Sequence, residues 1–313
     1  MELEQQSQYA DDEIDLRQLF ATLWAGKWLV LAITILFAAG GVAFALMKPD
    51  IYQASVLVAP ANDEGGVQGL SGQLGGLASL AGINLGGGGS NQTVIAKEVL
   101  QSRAFLTDFI RRHKLAVPLK AANGWNKEKQ QWQYNRETYN PETKEWLTDD
   151  KGKSFAPTNW DLVKTFKGSH LSVSESKDTG MLTISIKNLS PKAARDWATL
   201  LVADINEHMR KEDVGTSEAR IAYLEGKLEE TSIAGMQQVF YQLIESETRT
   251  VMLANAQPEY VFKTVDPAVA PQEKSEPKRA LIVVLAVMLG GMLGIFFVFV
   301  RAFIKTDKAE EKL

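Results

Sequence analysis

The sequence contains no cysteine and only three histidines, His113, His170 and His208. The missing thiols exclude a disulfide framework, a thiolate metal site and a cysteine nucleophile. The histidines fall in different segments without a second ligand at close spacing, so they read as surface or capping residues. Neither sign of charge dominates: 34 Lys and Arg stand against 38 Asp and Glu, a net charge of -4. There is thus no basic field to attract nucleic acid. The signatures GxSxG and HExxH do not occur. Gly152-Lys153-Ser154 ends like a phosphate-binding loop, but Leu147 stands where that pattern needs its upstream glycine, and no strand precedes it. Acid pairs such as Asp149-Asp150 lie in polar turns. No catalytic residue, metal ligand or cofactor is expected, and the protein reads as a non-enzyme.

Charge is also absent from two long stretches, residues 28–46 and 280–300. Nineteen helical residues in the first span about 28 Å, close to a bilayer core. Trp24 and Trp28 stand at its entry, where indole favours the interface. A soluble helix of this length carries a polar face, and neither stretch has one. Ala43-Phe44-Ala45 resembles a cleavage site, but the acidic lead-in (Asp11, Asp12, Glu13, Asp15) and the length of the run favour an uncleaved anchor. Six flanking basic residues outside the intervening loop against five inside it favour cytoplasmic termini. In the second stretch Gly290 and Gly294 lie one turn apart, where the missing side chains let another helix approach.

The fold class expected is an α+β membrane protein: two transmembrane helices flanking a soluble domain with an α/β base and a long helix. The boundaries are an N-terminal arm at 1–27, spans at 28–46 and 280–300, a domain at 47–279 and a tail at 301–313. An amphipathic helix is expected in the arm at 15–23. A strand at 52–58 follows the first span, with alternating apolar and polar residues from Tyr52 onward. The glycine-rich stretch 65–89 is expected to be a loop with one short helix at 75–81. A helix is expected at 91–113 and another at 160–166. Between them, 124–160 is polar and aromatic, with short strands about a turn. Its Trp125, Trp132, Tyr139 and Trp146 could stack on sugar rings or anchor turns.

A β-hairpin is predicted at 170–186 around Asp178-Thr179-Gly180, then a helix opened by Ser190-Pro191. A second helical pattern covers 217–254. Its apolar face, with Ile221, Leu224, Leu228, Val239, Phe240 and Leu243, could pack beside copies of itself or close an intramolecular hairpin. If continuous, this helix extends about 57 Å, with Gly226 and Gly235 as possible bends. A last strand at 259–265 precedes Pro267, Pro271 and Pro277, an extended return to Lys278-Arg279 and the second span. Pairing of this last strand with the first is expected, giving a structural motif beside the membrane from Tyr52, the three prolines, Lys278 and Arg279.

The arrangement resembles the bacterial polysaccharide co-polymerases, specifically the Wzz-type chain-length determinants. The resemblance rests on Asp12-Glu13-Ile14-Asp15-Leu16-Arg17-Gln18-Leu19 before the first span and Tyr52-Gln53-Ala54 after it. It rests also on the segment from Tyr260 to Ala268, leading through Pro271 and Pro277 to the Gly-containing second span. It implies an inner-membrane protein with both termini cytoplasmic and the loop periplasmic. The implied assembly is a homo-oligomeric ring, commonly octameric in the family, with long helices rising from a membrane-proximal α/β base. The implied partners are a Wzy-type polymerase, a lipid-linked glycan (O-antigen above all) and membrane lipids. The amino-terminal pattern is shared with capsule co-polymerases that carry tyrosine kinases. With about a dozen residues after the second span, no kinase domain is expected on this chain, so the alternative is an export co-polymerase working with a separate kinase.

Overall fold

The computed structural model describes residues 16–61 and 88–310. The chain divides into two compact units, one formed by Met1–Pro49 with Glu276–Leu313 and the other by Asp50–Ser275. The glycine-rich stretch, apart from Gly88 and Gly89, and the short helix expected within it lie outside the described residues.

Among the described residues the first unit holds three helices: α1 (Leu16–Ala25), α2 (Lys27–Met47) and α9 (Arg279–Glu310). The apolar stretches of α2 and α9 have mean hydropathies of 2.5 and 2.8, and only 6% and 17% of their residues are buried within the protein. A core helix hides its apolar surface in its own protein. These two leave theirs uncovered, as a lipid-facing helix does. The second helix runs ten residues past the expected span end at 300, through Arg301.

The second unit is built on a four-stranded antiparallel sheet of β1 (Tyr52–Pro60), β6 (Leu171–Glu175), β7 (Leu182–Asn188) and β8 (Phe262–Asp266), in the order β6-β7-β1-β8. β1 alternates as its sequence requires, with Tyr52, Ala54, Val56 and Val58 buried. It pairs with β7 from Tyr52↔Asn188 to Val58↔Leu182. On its other edge it takes β8, with a register shift between Leu57 and Val58. The first and last strands of the unit are therefore neighbours. Gly180, with φ +67°, turns the β6–β7 hairpin.

Helix α7 (Pro191–Glu230) starts where Ser190 and Pro191 predict, with the Ser190 hydroxyl accepting from the Ala193 N–H. Its first half buries Trp197, Leu201, Ile205 and Met209 in one core with Val56, Val58, Ile184 and Ile186 of the sheet. Phe105, Leu106, Phe109 and Ile110 join that core from α4 (Arg103–Arg112). The single helix expected at 91–113 is in fact two, α3 (Gly88–Leu100) and α4. Ser102 separates them: its backbone is extended and its hydroxyl caps the Phe105 N–H, which starts a new helix.

The long helix also differs from expectation. It does not run from 217 to 254. It begins at Pro191, continues for 40 residues to Glu230, and is followed by α8 (Ala234–Ala256), which folds back on it. At about 1.5 Å per residue α7 is roughly 60 Å long. The break falls at Thr231-Ser232-Ile233, with extended backbone at both Thr231 and Ile233. Three weak helix formers in a row, two of them β-branched, lower the cost of leaving the helix. Gln237 Nε2 donates to the freed Thr231 carbonyl at 2.8 Å. Gly226 and Gly235 are not bends, and both lie inside helices. An Arg220–Glu247 ion pair at 3.2 Å ties the two arms.

Between α4 and the sheet lie α5 (Ala116–Lys120), two small ribbons, β2–β3 (Ala122–Asn126 with Gln131–Tyr134) and β4–β5 (Tyr139–Asn140 with Glu145–Trp146), and α6 (Asn159–Thr165).

Candidate functional site

Contact between α2 and α9 is set by residues without bulk. A Cβ added at Gly290 would stand 2.7 Å from Phe37 Cβ and 3.0 Å from Thr34 Cα, and one at Gly294 would stand 2.9 Å from Val30 Cα. The same antiparallel seam continues at both ends. A Cβ at Gly41 would meet Ala286 Cβ at 2.6 Å, and one at Gly26 would meet Val298 Cγ2 at 2.5 Å. Gly290 and Gly294 thus lie in a longer ladder of α9 residues at four-residue spacing: Ala286, Gly290, Gly294 and Val298. Of these, Gly290 and Gly294 were legible as a GxxxG pair. Gly26 and Gly41 carried no spacing signal. Arg279 Nε reaches the Ala45 carbonyl at 3.2 Å, satisfying an end-of-helix acceptor.

The residues grouped around the chain's entry and return fall into both units. In the second unit Ser275 bonds the Ile51 carbonyl through its N–H at 2.8 Å and its hydroxyl at 3.1 Å. Lys274 pairs with Asp50 at 3.2 Å. Tyr52 is buried, with the Lys127 ammonium 5.3 Å from its ring centre. Pro267 is exposed and Pro271 half-buried. In the first unit Pro277 is half-buried and Lys278 exposed.

Sequence reasoning missed Asn206. It sits among the apolar residues of α7 at 3% exposure. Its Oδ1 accepts from Val261 and Phe262 N–H at 2.9 and 2.8 Å, and its Nδ2 donates to the Phe262 carbonyl at 2.8 Å. Two turns further on, Asp213 accepts from the Tyr260 hydroxyl at 2.8 Å and from Gln92. Burial, with the Asp213 hydrogen bond adding to it, pushes the Tyr260 phenol up to about 12. Asp204 accepts from Arg112 and pairs with His113 at 2.9 Å. These three α7 side chains fasten β8 and α4 to the long helix. They hold structure rather than reacting groups.

The hairpin of α7 and α8 divides the apolar face predicted for it. Ile221, Leu224, Leu228 and Phe240 are half-buried along the paired stretch. Val239 and Leu243 stay 48% and 47% exposed, and with Met236 they form an uncovered stripe on α8. On α7, a shallow groove of about 600 Å³ runs past Gly215, Thr216, Ala219 and Tyr223.

The aromatic residues of the two ribbons meet edge to face or tilted. Trp125 and Trp132 have ring centres 5.1 Å apart, Tyr134 and Tyr139 5.5 Å, and Tyr139 and Trp146 5.2 Å. Among the described residues no group of three His, Asp or Glu side chains gathers in a way that could hold a metal. His170 is enclosed between Phe166 and Trp197, bonds the Lys187 carbonyl through Nδ1 at 2.7 Å, and has its pKa lowered by burial.

Residues 12–113 match the family model of the chain length determinant protein, Wzz. Residues 233–303 match the model described as "G-rich domain on putative tyrosine kinase". No curated protein matches the sequence. Among solved structures, a full-length bacterial polysaccharide co-polymerase is similar at 14% identity and a TM-score of 0.39, covering 93% of this chain and 99% of that one. A fragment of the polysaccharide co-polymerase WzzB from Salmonella Typhimurium is similar at 11% identity and a TM-score of 0.34, covering 73% of this chain and 100% of the fragment.

Proposed function

We propose that this chain, whose residues 12–113 match the chain length determinant model, is a Wzz-type polysaccharide chain-length determinant and sets the modal length of a lipid-linked surface polysaccharide as a non-enzymatic scaffold. The observation that carries this is the Wzz match across 12–113, which takes in α2, β1, α3 and α4. In this reading the scaffold is a homo-oligomeric ring in the bacterial inner membrane. The arm 1–27 and tail 301–313 are cytoplasmic, the spans are 28–46 and 280–300, and 47–279 is the periplasmic domain. Its partners are a Wzy-type polymerase and the growing lipid-linked glycan, with lipopolysaccharide O-antigen as the product.

Two features of the hairpin support the ring. The stripe of Met236, Val239 and Leu243 on α8 is uncovered apolar surface, which a soluble domain keeps exposed at a cost. The groove on α7 offers the small residues Gly215, Thr216 and Ala219 for it to enter, beside Tyr223 and the charged Lys211, Glu212 and Arg220. A stripe on one copy meeting a groove on the next is a heterologous contact, the kind that closes rings. Deleting the gene should broaden or shift the length distribution of the polysaccharide without abolishing synthesis. An unchanged ladder on a polysaccharide gel would refute the reading.

The match at 233–303 favours a second reading, a co-polymerase for capsule or exopolysaccharide export acting with a tyrosine kinase on a separate chain. Co-purification of a kinase, with kinase-dependent phosphorylation of this chain, would select it over the first.

A further inference from the structure

The aromatic ribbons at 122–146 have no part in the sheet or in its core. They form their own two-stranded sheets, and Trp125, Trp132, Tyr134 and Trp146 stand outside the core that holds α7 on β1 and β7. Of their five large aromatic side chains only Tyr139 is fully buried. The other four keep part of their surface in solvent, although aromatic residues gain most from burial. Each nevertheless rests against a neighbouring ring, Trp125 on Trp132 and Trp146 on Tyr139 edge-on and Tyr134 on Tyr139 tilted.

A cleft of about 560 Å³ runs along β3, the ribbon strand whose outer edge is unpaired. Trp132 and Tyr134 line it from one face of the strand, and Gln131 and Gln133 from the other, so the cleft follows the strand's free edge. Its polar lining is Gln130, Gln131, Gln133 and Arg136. There is no carboxylate and no branched aliphatic side chain in that set. Gln133 reaches across Gly124, where a Cβ would crowd its Oε1 and displace the amide. Arg136 is held at the surface by Glu142 at 3.4 Å. Flat aromatic faces beside planar amides that both donate and accept, with one cation, match one ligand chemistry. A sugar ring offers apolar C–H faces to an aromatic platform and a rim of hydroxyls to amides, and acidic sugars add a charge for the guanidinium. The volume is within the usual range for ligand clefts and has room for a short run of sugar residues.

We propose that the β3 cleft binds a segment of the polysaccharide whose length the protein sets, with Trp132 and Tyr134 stacking on sugar faces and the glutamines and Arg136 bonding hydroxyls or carboxylates. The inference rests on the chain-length reading, and adds to it a direct grip on the glycan by a module apart from the sheet and the helical hairpin.

The test uses the full-length protein in detergent and, as probe, the delipidated surface polysaccharide of the source bacterium, with binding followed by calorimetry and tryptophan fluorescence. Trp132→Ala should weaken binding roughly tenfold, the loss expected for one stacking platform. Gln131→Ala and Arg136→Gln alter exposed side chains whose loss leaves the ribbons folded, and each should weaken binding by a smaller factor. They carry the test if Trp132→Ala unfolds the ribbons. In cells, each variant should move the polysaccharide ladder towards that of the deletion strain. Absence of binding by the wild type, or equal binding by all variants, overturns the inference. Ladders shifted by the variants without polysaccharide binding would assign the cleft to a protein partner and overturn it as well. A deletion strain with an unchanged ladder defeats the chain-length reading itself. A deletion phenotype with variants that bind and regulate normally defeats only the cleft.

Discussion

Asn206 on α7 holds both main-chain polar groups of Phe262, accepting from its N–H and donating to its carbonyl, each at 2.8 Å. A helix side chain thereby does for the start of β8 what a neighbouring strand would do. Because Val261 and Phe262 are 1% and 0% exposed, water cannot replace the bonds. Asn206→Ala would strand two N–H groups and a carbonyl, at about 1–3 kcal/mol for each group left unsatisfied. Denaturant unfolding of the purified protein should show a loss of roughly 3 kcal/mol or more. A change under 1 kcal/mol would mean that β8 is held by its pairing with β1 alone.

Tyr260→Phe removes the hydroxyl that bonds Asp213 and keeps the ring. Gln92 still donates to the same carboxylate, so the expected cost is modest, about 1 kcal/mol. The same melts measure it. The variant also removes the phenol whose pKa is pushed up to about 12, so the alkaline ultraviolet titration of the folded protein should lose its latest component.

The seam between α2 and α9 supplies its own control. Gly290→Ala and Gly294→Ala force a Cβ to within 3 Å of the facing helix, whereas at Gly291 the nearest atom is Thr34 Oγ1 at 3.9 Å. The first two substitutions should lower stability in detergent by about 1–3 kcal/mol, as overpacking does. Gly291→Ala should leave it nearly unchanged. Equal effects at all three positions would contradict the seam.

Acid should loosen the second unit through His170. Burial lowers its pKa in the folded protein below the 6.5 of the free side chain, so the unfolded chain binds the proton more readily. Stability is then whole above pH 6.5 and declines as pH falls below it, until the folded-state pKa is passed. Thermal melts between pH 8 and pH 5 should show this decline, and His170→Gln should flatten part of it. A variant with the unaltered slope would assign the acid sensitivity to other groups.

Charged residues placed on the α8 stripe test the ring. Val239→Asp and Leu243→Asp leave the half-buried Phe240 in place and put carboxylates where the reading needs apolar contact. Size-exclusion chromatography with light scattering should report smaller assemblies with unchanged helix content. Assemblies of wild-type size would place the contact elsewhere.

What the sequence disclosed and what it hid follow from the range of the interactions. The two charge-free stretches, the alternation in β1 and the Ser190-Pro191 start are local signals, and each element stands where its residues put it. The expected pairing of first and last strands is seen in β1 and β8. The turn at Thr231-Ser232-Ile233 was hidden because it has neither proline nor glycine, and Gly226 and Gly235 drew attention to the wrong places. The split at Ser102 was hidden inside a continuous apolar pattern, although a serine three residues before Phe105 is an ordinary cap. Asn206 was illegible because its partners lie more than 50 residues away, and nothing in a helical pattern marks an asparagine as reaching for a strand. Gly290 and Gly294 were visible by spacing, but the residues they face across the seam, Phe37, Thr34 and Val30, come from the other end of the chain.

The most direct test of the central claim is the polysaccharide length profile, resolved on a gel, of a deletion strain complemented with this chain. The account predicts a broad or displaced distribution without the chain and recovery of a single modal length with it, at an unchanged total amount of polysaccharide. A distribution that is the same with and without the chain, or a loss of synthesis rather than of length control, would contradict it.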